Sequence, residues 1–242
     1  MALLKVLFLL AAALSNHVAF TTSSSPPPSE DGNAKHVTHI DRISLSMVRR
    51  LFEMNKFIGW CAAACEIILI IAAEYPSTTF GKFVSTHPET MTTSSGKLAI
   101  NQVFLIGFAL SILGVCIRME CLHVYCRHFM SEVTIRTNGK HRLCKNGPYA
   151  VVRHPSYVGL CMNITGLVFW LGSAGSLVME SKLFESAVGR TLACLFPAGQ
   201  MLAVGVLLRK ALKEEELFSA DFPEEWEEWA KRIPDRFIPG LI

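Results

Sequence analysis

Five apolar runs, residues 1–20, 57–73, 98–117, 157–179 and 188–208, dominate this chain and set what it can fold into. Most approach the roughly 20 residues that an α-helix needs to cross a bilayer. With 51% hydrophobic and 18% charged residues over 242 positions, the chain is too apolar for an ordinary soluble domain, and no stretch remains from which a separate one could be built. The expected fold is all-α. It is a polytopic membrane protein of about five transmembrane helices, with a helical hairpin and a cytosolic C-terminal amphipathic helix. Residues 1–56 read as an N-terminal apolar helix plus a flexible Ser/Thr/Pro/Asn-rich linker, and 57–242 as the membrane-embedded domain.

The distribution of lysine and arginine orients it. Segment 21–56 carries five (Lys35, Arg42, Arg49, Arg50, Lys56), 74–97 two, 118–156 seven, 180–190 two and 209–242 six. By the positive-inside rule the rich segments face the cytosol, with the N-terminus on the far side. The first run also has the lysine, apolar core and Ser/Pro-rich sequel of a signal peptide, although cleavage there would conflict with the charge ladder. The eight cysteines (61, 65, 116, 121, 126, 144, 161, 194) include no CxxC pair, so they read as small reduced packing residues, and no metal site is expected. The pattern gives no reason to expect a nucleic-acid partner.

Chemistry concentrates at GPYAVVRHPSYVG, residues 147–159, on the cytosolic side of the fourth run. Pro155 suits the first turn of a helix, where its missing amide hydrogen costs nothing. The residue before a proline is pushed toward extended geometry, so Arg153 and His154 sit just outside that helix. Gly147-Pro148 makes a second break. Arg153 and His154 therefore crown a helix N-terminus suited to an anionic group, or snorkel to lipid headgroups. Within the helix, Gly159, Asn163 and Gly166 form a small polar stripe, the usual mark of close helix packing, with a ligand as the lesser reading. A turn at Gly172–Gly175 makes this leg short, about 15 residues or ~22 Å. It leads into a hairpin with the 188–208 helix, which carries Pro197 as a candidate kink.

The last run exits into RKALKEEELFSADFPEEWEEWAKRIP. On a helical wheel the apolar face passes through Val204, Leu208, Ala211, Leu212 and Phe218, with Glu215 projecting into its middle. A carboxylate on a packed face at the membrane interface requires a cationic partner, from the protein or from a ligand. Glu214 flanks the face, with Lys210 four residues earlier, where an ion pair forms. A new helix then starts near Asp221, with Glu224 completing a capping box. Phe222, Trp226, Trp229 and Ile233 share one face, as an interfacial anchor or a lid over the cytosolic loop.

Taken together, HRLCKNGPYAVVRHPSYVG, a downstream EE and the closing FPEEWEEWAKRIP resemble the isoprenylcysteine carboxyl methyltransferases of the endoplasmic reticulum membrane, over roughly residues 98–242. The resemblance implies a multi-pass enzyme with its active site facing the cytosol. It would move a methyl group from S-adenosylmethionine, its cofactor, to the C-terminal carboxylate of prenylated cysteine in CaaX-processed proteins, its partners alongside the lipid bilayer. It implies cofactor contacts from His141, Arg142, Leu143 and Cys144, from Tyr149, from Arg153, His154, Pro155, Ser156 and Tyr157, and from the acidic pair. There the family pattern selects Glu214 and the helical wheel selects Glu215. A family glutamine falls at Thr134. A family arginine near the substrate carboxylate falls at Lys210, with Arg209 beside it; lysine neutralises a carboxylate without offering a bidentate fork. No general base is required, because a carboxylate with a pKa of about 4 is already ionised at neutral pH. The rival readings are a phospholipid N-methyltransferase, which shares the cofactor pattern, and a non-catalytic membrane protein that keeps the motif as packing.

Overall fold

The computed structural model describes residues 2–21, 39–79, 81–82, 98–134, 145–221 and 223–240. Every regular element among them is helical: α1 (Ala2–Thr21), α2 (His39–Glu74), α3 (Gln102–Thr134), α4 (Pro155–Leu171), the short α5 (Leu177–Glu180), α6 (Ala187–Asp221) and α7 (Pro223–Arg232), with single 3₁₀ turns at Gly147–Ala150 and Lys182–Glu185. Leu3–Thr21, Ser46–Glu74, Gln102–Val124 and Ala187–Ala220 are long and apolar enough to cross a membrane. The chain is thus a multi-pass membrane protein. The fourth apolar run yields a shorter helix, 17 residues or ~25 Å at the usual rise, against a hydrocarbon core of about 30 Å. Helix α2 continues through residue 56, α6 continues through Pro197, and the linker at 22–38 lies outside the described residues.

Polar contacts mark the two ends of the bundle. At one end Lys5 of α1 pairs with Glu66 of α2, donates to the Gly175 carbonyl at 2.7 Å and lies over the Phe104 ring of α3. Glu66 also accepts from the Leu177 amide at 3.0 Å. Lys5 and Glu66 are only 1% and 2% exposed. Asn101 completes this end, accepting from the Phe104 amide as the cap of α3 and donating to the Ala174 carbonyl. The other end brings together the C-terminal parts of α1, α3 and α6 and the start of α4. The four long helices and the shorter α4 therefore run alternately up and down.

Leu9, Ala12, Ala13 and Phe20 of α1 share one core with Phe52, Ala63, Phe104, Leu160, Leu167, Trp170 and Leu207. Asn55 of α2 and Gln200 of α6 exchange two amide hydrogen bonds of 2.9 Å inside the bundle, a pairing that apolar lipid would not supply. The closest helix contact joins α3 to α4. A Cβ placed on Gly114 would lie 2.6 Å from the Gly159 carbonyl, and one on Gly166 2.6 Å from the Gly107 carbonyl. Asn163 donates to the Ser111 carbonyl at 2.9 Å between them. The Gly159/Asn163/Gly166 stripe is therefore a packing surface. Its counterpart, Gly107/Ser111/Gly114 on α3, makes α3 rather than the returning α6 the close neighbour of α4. A hairpin into α6 does follow, through α5 and the second 3₁₀ turn.

Candidate functional site

The site is built at the start of α4. Gly147 has φ +61, where Val124 would meet any Cβ at 2.8 Å, so the chain turns there only as glycine. The 3₁₀ turn that follows places Tyr149, half-buried, over the bundle end. Pro155 is the first residue of α4 and His154 its cap, at φ −124 and ψ 55, outside helical geometry as the proline requires. The amides of Arg153 and His154 are not left to solvent. They donate to the carbonyls of Asp235 and Arg236 at 3.0 and 2.9 Å, and Arg153 Nη2 donates to the Pro234 carbonyl at 2.8 Å. The C-terminal segment thus pairs, backbone to backbone, with the two residues preceding α4.

The two glutamates of α6 face different surroundings. Glu215 is buried, 7% exposed, and its carboxylate meets Arg153 Nη1 at 3.3 Å, His154 Nε2 at 3.2 Å and Arg236 Nε at 3.0 Å. The cation that the sequence demanded is therefore supplied by the protein, twice over. Burial lowers the pKa of His154 below its ordinary value, against the pull of Glu214 and Glu215. A neutral imidazole bonded to an acceptor-only carboxylate is the Nε2–H tautomer, donating to Glu215. Burial also lowers the Arg153 guanidinium, opposed by Glu215. Glu214 is half-exposed; it accepts from the Tyr157 hydroxyl at 2.6 Å and lies 3.7 Å from Lys210 Nζ. Lys210 Nζ also sits 5.9 Å from the centre of the Tyr157 ring.

An aromatic cover closes one side. Trp229 and Ile233 are buried against Tyr149, Phe218 and Trp226, and Trp229 Nε1 donates to the Tyr149 carbonyl at 3.4 Å. The Trp226 ring carries the Arg153 guanidinium at 5.5 Å, and Phe237 stacks on His154 at 5.6 Å. Of the two sequence readings for this helix, the structure has the lid packed on the loop. The apolar face of α6 that it meets is centred on Leu207, Ala211 and Glu215, which turns Leu212 outward to 42% exposure.

Arg153, His154, Tyr157, Lys210, Glu214 and Glu215 therefore converge, with Tyr149 behind them. Arg209 is exposed. Pro155 is buried as the helix start, and Ser156 accepts from Arg118. His141, Arg142, Leu143 and Cys144 lie outside the described residues, as do the side chain of Thr134, the side chain of Asp221 and Phe222; Asp221, expected to cap the next helix, instead ends α6, and α7 starts at Pro223. Arg236 is the participant that sequence reasoning missed. It belongs to a non-helical segment with no periodicity, and only the conspicuous need of Glu215 for a cation pointed to it. Arg118, counted among the loop cations, lies instead inside the α3 span, 4% exposed.

Residues 105–186 match the model of the isoprenylcysteine carboxyl methyltransferase (ICMT) family. The resemblance read from the sequence is borne out over this segment, which holds most of α3, the 147–154 turn and all of α4, and it indicates a methyltransferase of that general type. No curated protein matches the chain.

Proposed function

We propose that this protein transfers a methyl group from S-adenosylmethionine to the C-terminal carboxylate of prenylated cysteine in CaaX-processed proteins, at the cytosolic face of the endoplasmic reticulum membrane. The observation that carries the reading is the separation of the two glutamates. Glu215 is neutralised within the fold, while Glu214 stands at the site mouth with a tyrosine hydroxyl and a lysine beside it. The donor set suits a ligand bearing both cationic and carboxylate groups. Glu214 and the Tyr157 ring attract a cation, and Arg153 Nε is a buried donor without an acceptor among the described residues.

When bound, S-adenosylmethionine supplies an electrophilic methyl carbon: its C–S bond breaks with the electron pair left on sulfur, a carboxylate lone pair forms the new C–O bond, and no proton moves. The chain's contribution is placement and exclusion of water. Tyr149, Arg153, His154, Pro155, Ser156 and Tyr157 form the cofactor wall, with Thr134 and the 141–144 segment assigned to it by resemblance. Glu214 rather than Glu215 makes the direct acidic contact. Lys210, one turn before Glu214, neutralises the acceptor carboxylate, and Arg209 does not take part. An acceptor whose prenyl chain lies in lipid presents its carboxylate at the interface, the depth at which α4 begins.

The test is methyl transfer from labelled S-adenosylmethionine to N-acetyl-S-farnesylcysteine in membranes expressing the chain. Base-labile label on the acceptor, lost in Glu214→Gln and kept in Arg209→Gln, is the expected result. Label on phosphatidylethanolamine instead would replace this reading with the phospholipid one, and absence of both labels would leave a non-catalytic protein.

A further inference from the structure

Arg118 is a charged side chain inside a membrane-spanning helix, 4% exposed, and the reaction above gives it no task. Charge at that depth is costly and is retained where it performs work. Its Nε donates to the Ala19 carbonyl in the last turn of α1 at 2.8 Å, and its Nη1 donates to Ser156 Oγ in the first turn of α4 at 3.0 Å. The planar guanidinium thus spans three helices with one rigid group.

The contact constrains Ser156. A hydroxyl has one proton and two lone pairs, and commonly alternates between giving and receiving. With Arg118 donating into its oxygen, Ser156 receives from inside the bundle and keeps its own proton for a second partner. That proton has no acceptor among the described residues. Arg153, with its unpartnered buried Nε, lies three residues earlier in the chain, just before α4 begins. We propose that Arg118 is a positioning residue: it makes Ser156 a one-way donor toward a ligand carboxylate. This rests on the methyl-transfer reading, in which methyl donor and methyl acceptor each carry a carboxylate.

A double-mutant cycle on the full chain in detergent tests it, using Ser156→Ala, Arg118→Lys and the pair. Arg118→Lys keeps the charge and loses the fork, and Ser156→Ala removes only the hydroxyl, so both should fold. Titration with S-adenosylhomocysteine and with its decarboxylated analogue is run beside the KM and kcat for N-acetyl-S-farnesylcysteine. Each single variant is expected to lose about tenfold in one carboxylate-dependent quantity, with the pair losing no more than either alone. If the donor's carboxylate is held, affinity for S-adenosylhomocysteine falls while that for the decarboxylated analogue does not. If the acceptor's carboxylate is held, its KM rises with kcat unchanged. Losses that add, or a fall in thermal stability with neither quantity moved, would reduce Arg118 to a structural brace and overturn the inference alone. Failure of the unmutated chain to bind S-adenosylhomocysteine at all would overturn the methyl-transfer reading together with it.

Discussion

Adjacent in sequence, Glu214 and Glu215 should respond to the same substitution in opposite ways. Glu215→Gln leaves Arg153 and Arg236 facing each other without their shared carboxylate. Removing one partner of a buried ion pair costs about 3–5 kcal/mol, so thermal unfolding without ligand should fall sharply. Glu214→Gln, at a half-exposed position, should unfold near the unmutated temperature and lose the stabilisation that added S-adenosylhomocysteine otherwise gives. His154 adds a pH dependence. Its folded pKa lies below the unfolded value of 6.5, so the unfolded state binds more protons in between. The stability it contributes is complete above pH 6.5 and is lost as pH falls through that value toward the folded pKa. Denaturant midpoints between pH 7.5 and 5.5 should show that slope, and His154→Gln should flatten it. At this scale the sequence revealed most where a residue broke its helix's pattern: Glu215 stood on an apolar face and needed a cation. Arg118 was misassigned because hydropathy drops at residue 117 while the helix continues to 134. Helices end where hydrogen bonding ends, and that is not where the membrane ends.

The α3–α4 contact is the element on which the site depends, since it sets where Arg153 and His154 emerge. Gly114→Ala puts a Cβ 2.6 Å from the Gly159 carbonyl, a backbone atom that cannot rotate aside. Overpacking of this kind costs about 1–3 kcal/mol. The variant should lose stability and methyl transfer together, whereas Gly205→Ala on α6, where a Cβ meets nothing within 4 Å, should lose neither. Trp229→Ala separates the lid from the bundle. Hydrogen exchange should quicken across 223–240 and the 147–154 turn while α1 and α2 stay protected. The small-residue stripe on α4 was readable from glycine spacing alone. Which helix it met was not, because pairing depends on a second stripe in α3 whose glycines and serine lie in an ordinary-looking apolar run. The lid's aromatic face was readable as a face, but its choice between membrane and protein was settled by Tyr149, 80 residues from Trp229 in sequence.

For the molecule as a whole, continuous apolar length made the helices legible, and the spacing of basic residues made their alternation legible. The polar groups that tie one end of the bundle were not, because Lys5 and Glu66 each look like an ordinary charge in or beside an apolar run. Lys5→Met should destabilise the chain by about 3–5 kcal/mol through the stranded Glu66, and adding Glu66→Leu should restore much of that loss. Thermal unfolding of both variants in detergent checks the expectation. The same ion pair bears on how the protein is made. The carbonyl that completes the Lys5 cluster belongs to Gly175, 170 residues later, so the first helix leaves the ribosome long before its charge has all its partners. A nascent chain halted short of that glycine would hold a half-satisfied lysine in the bilayer.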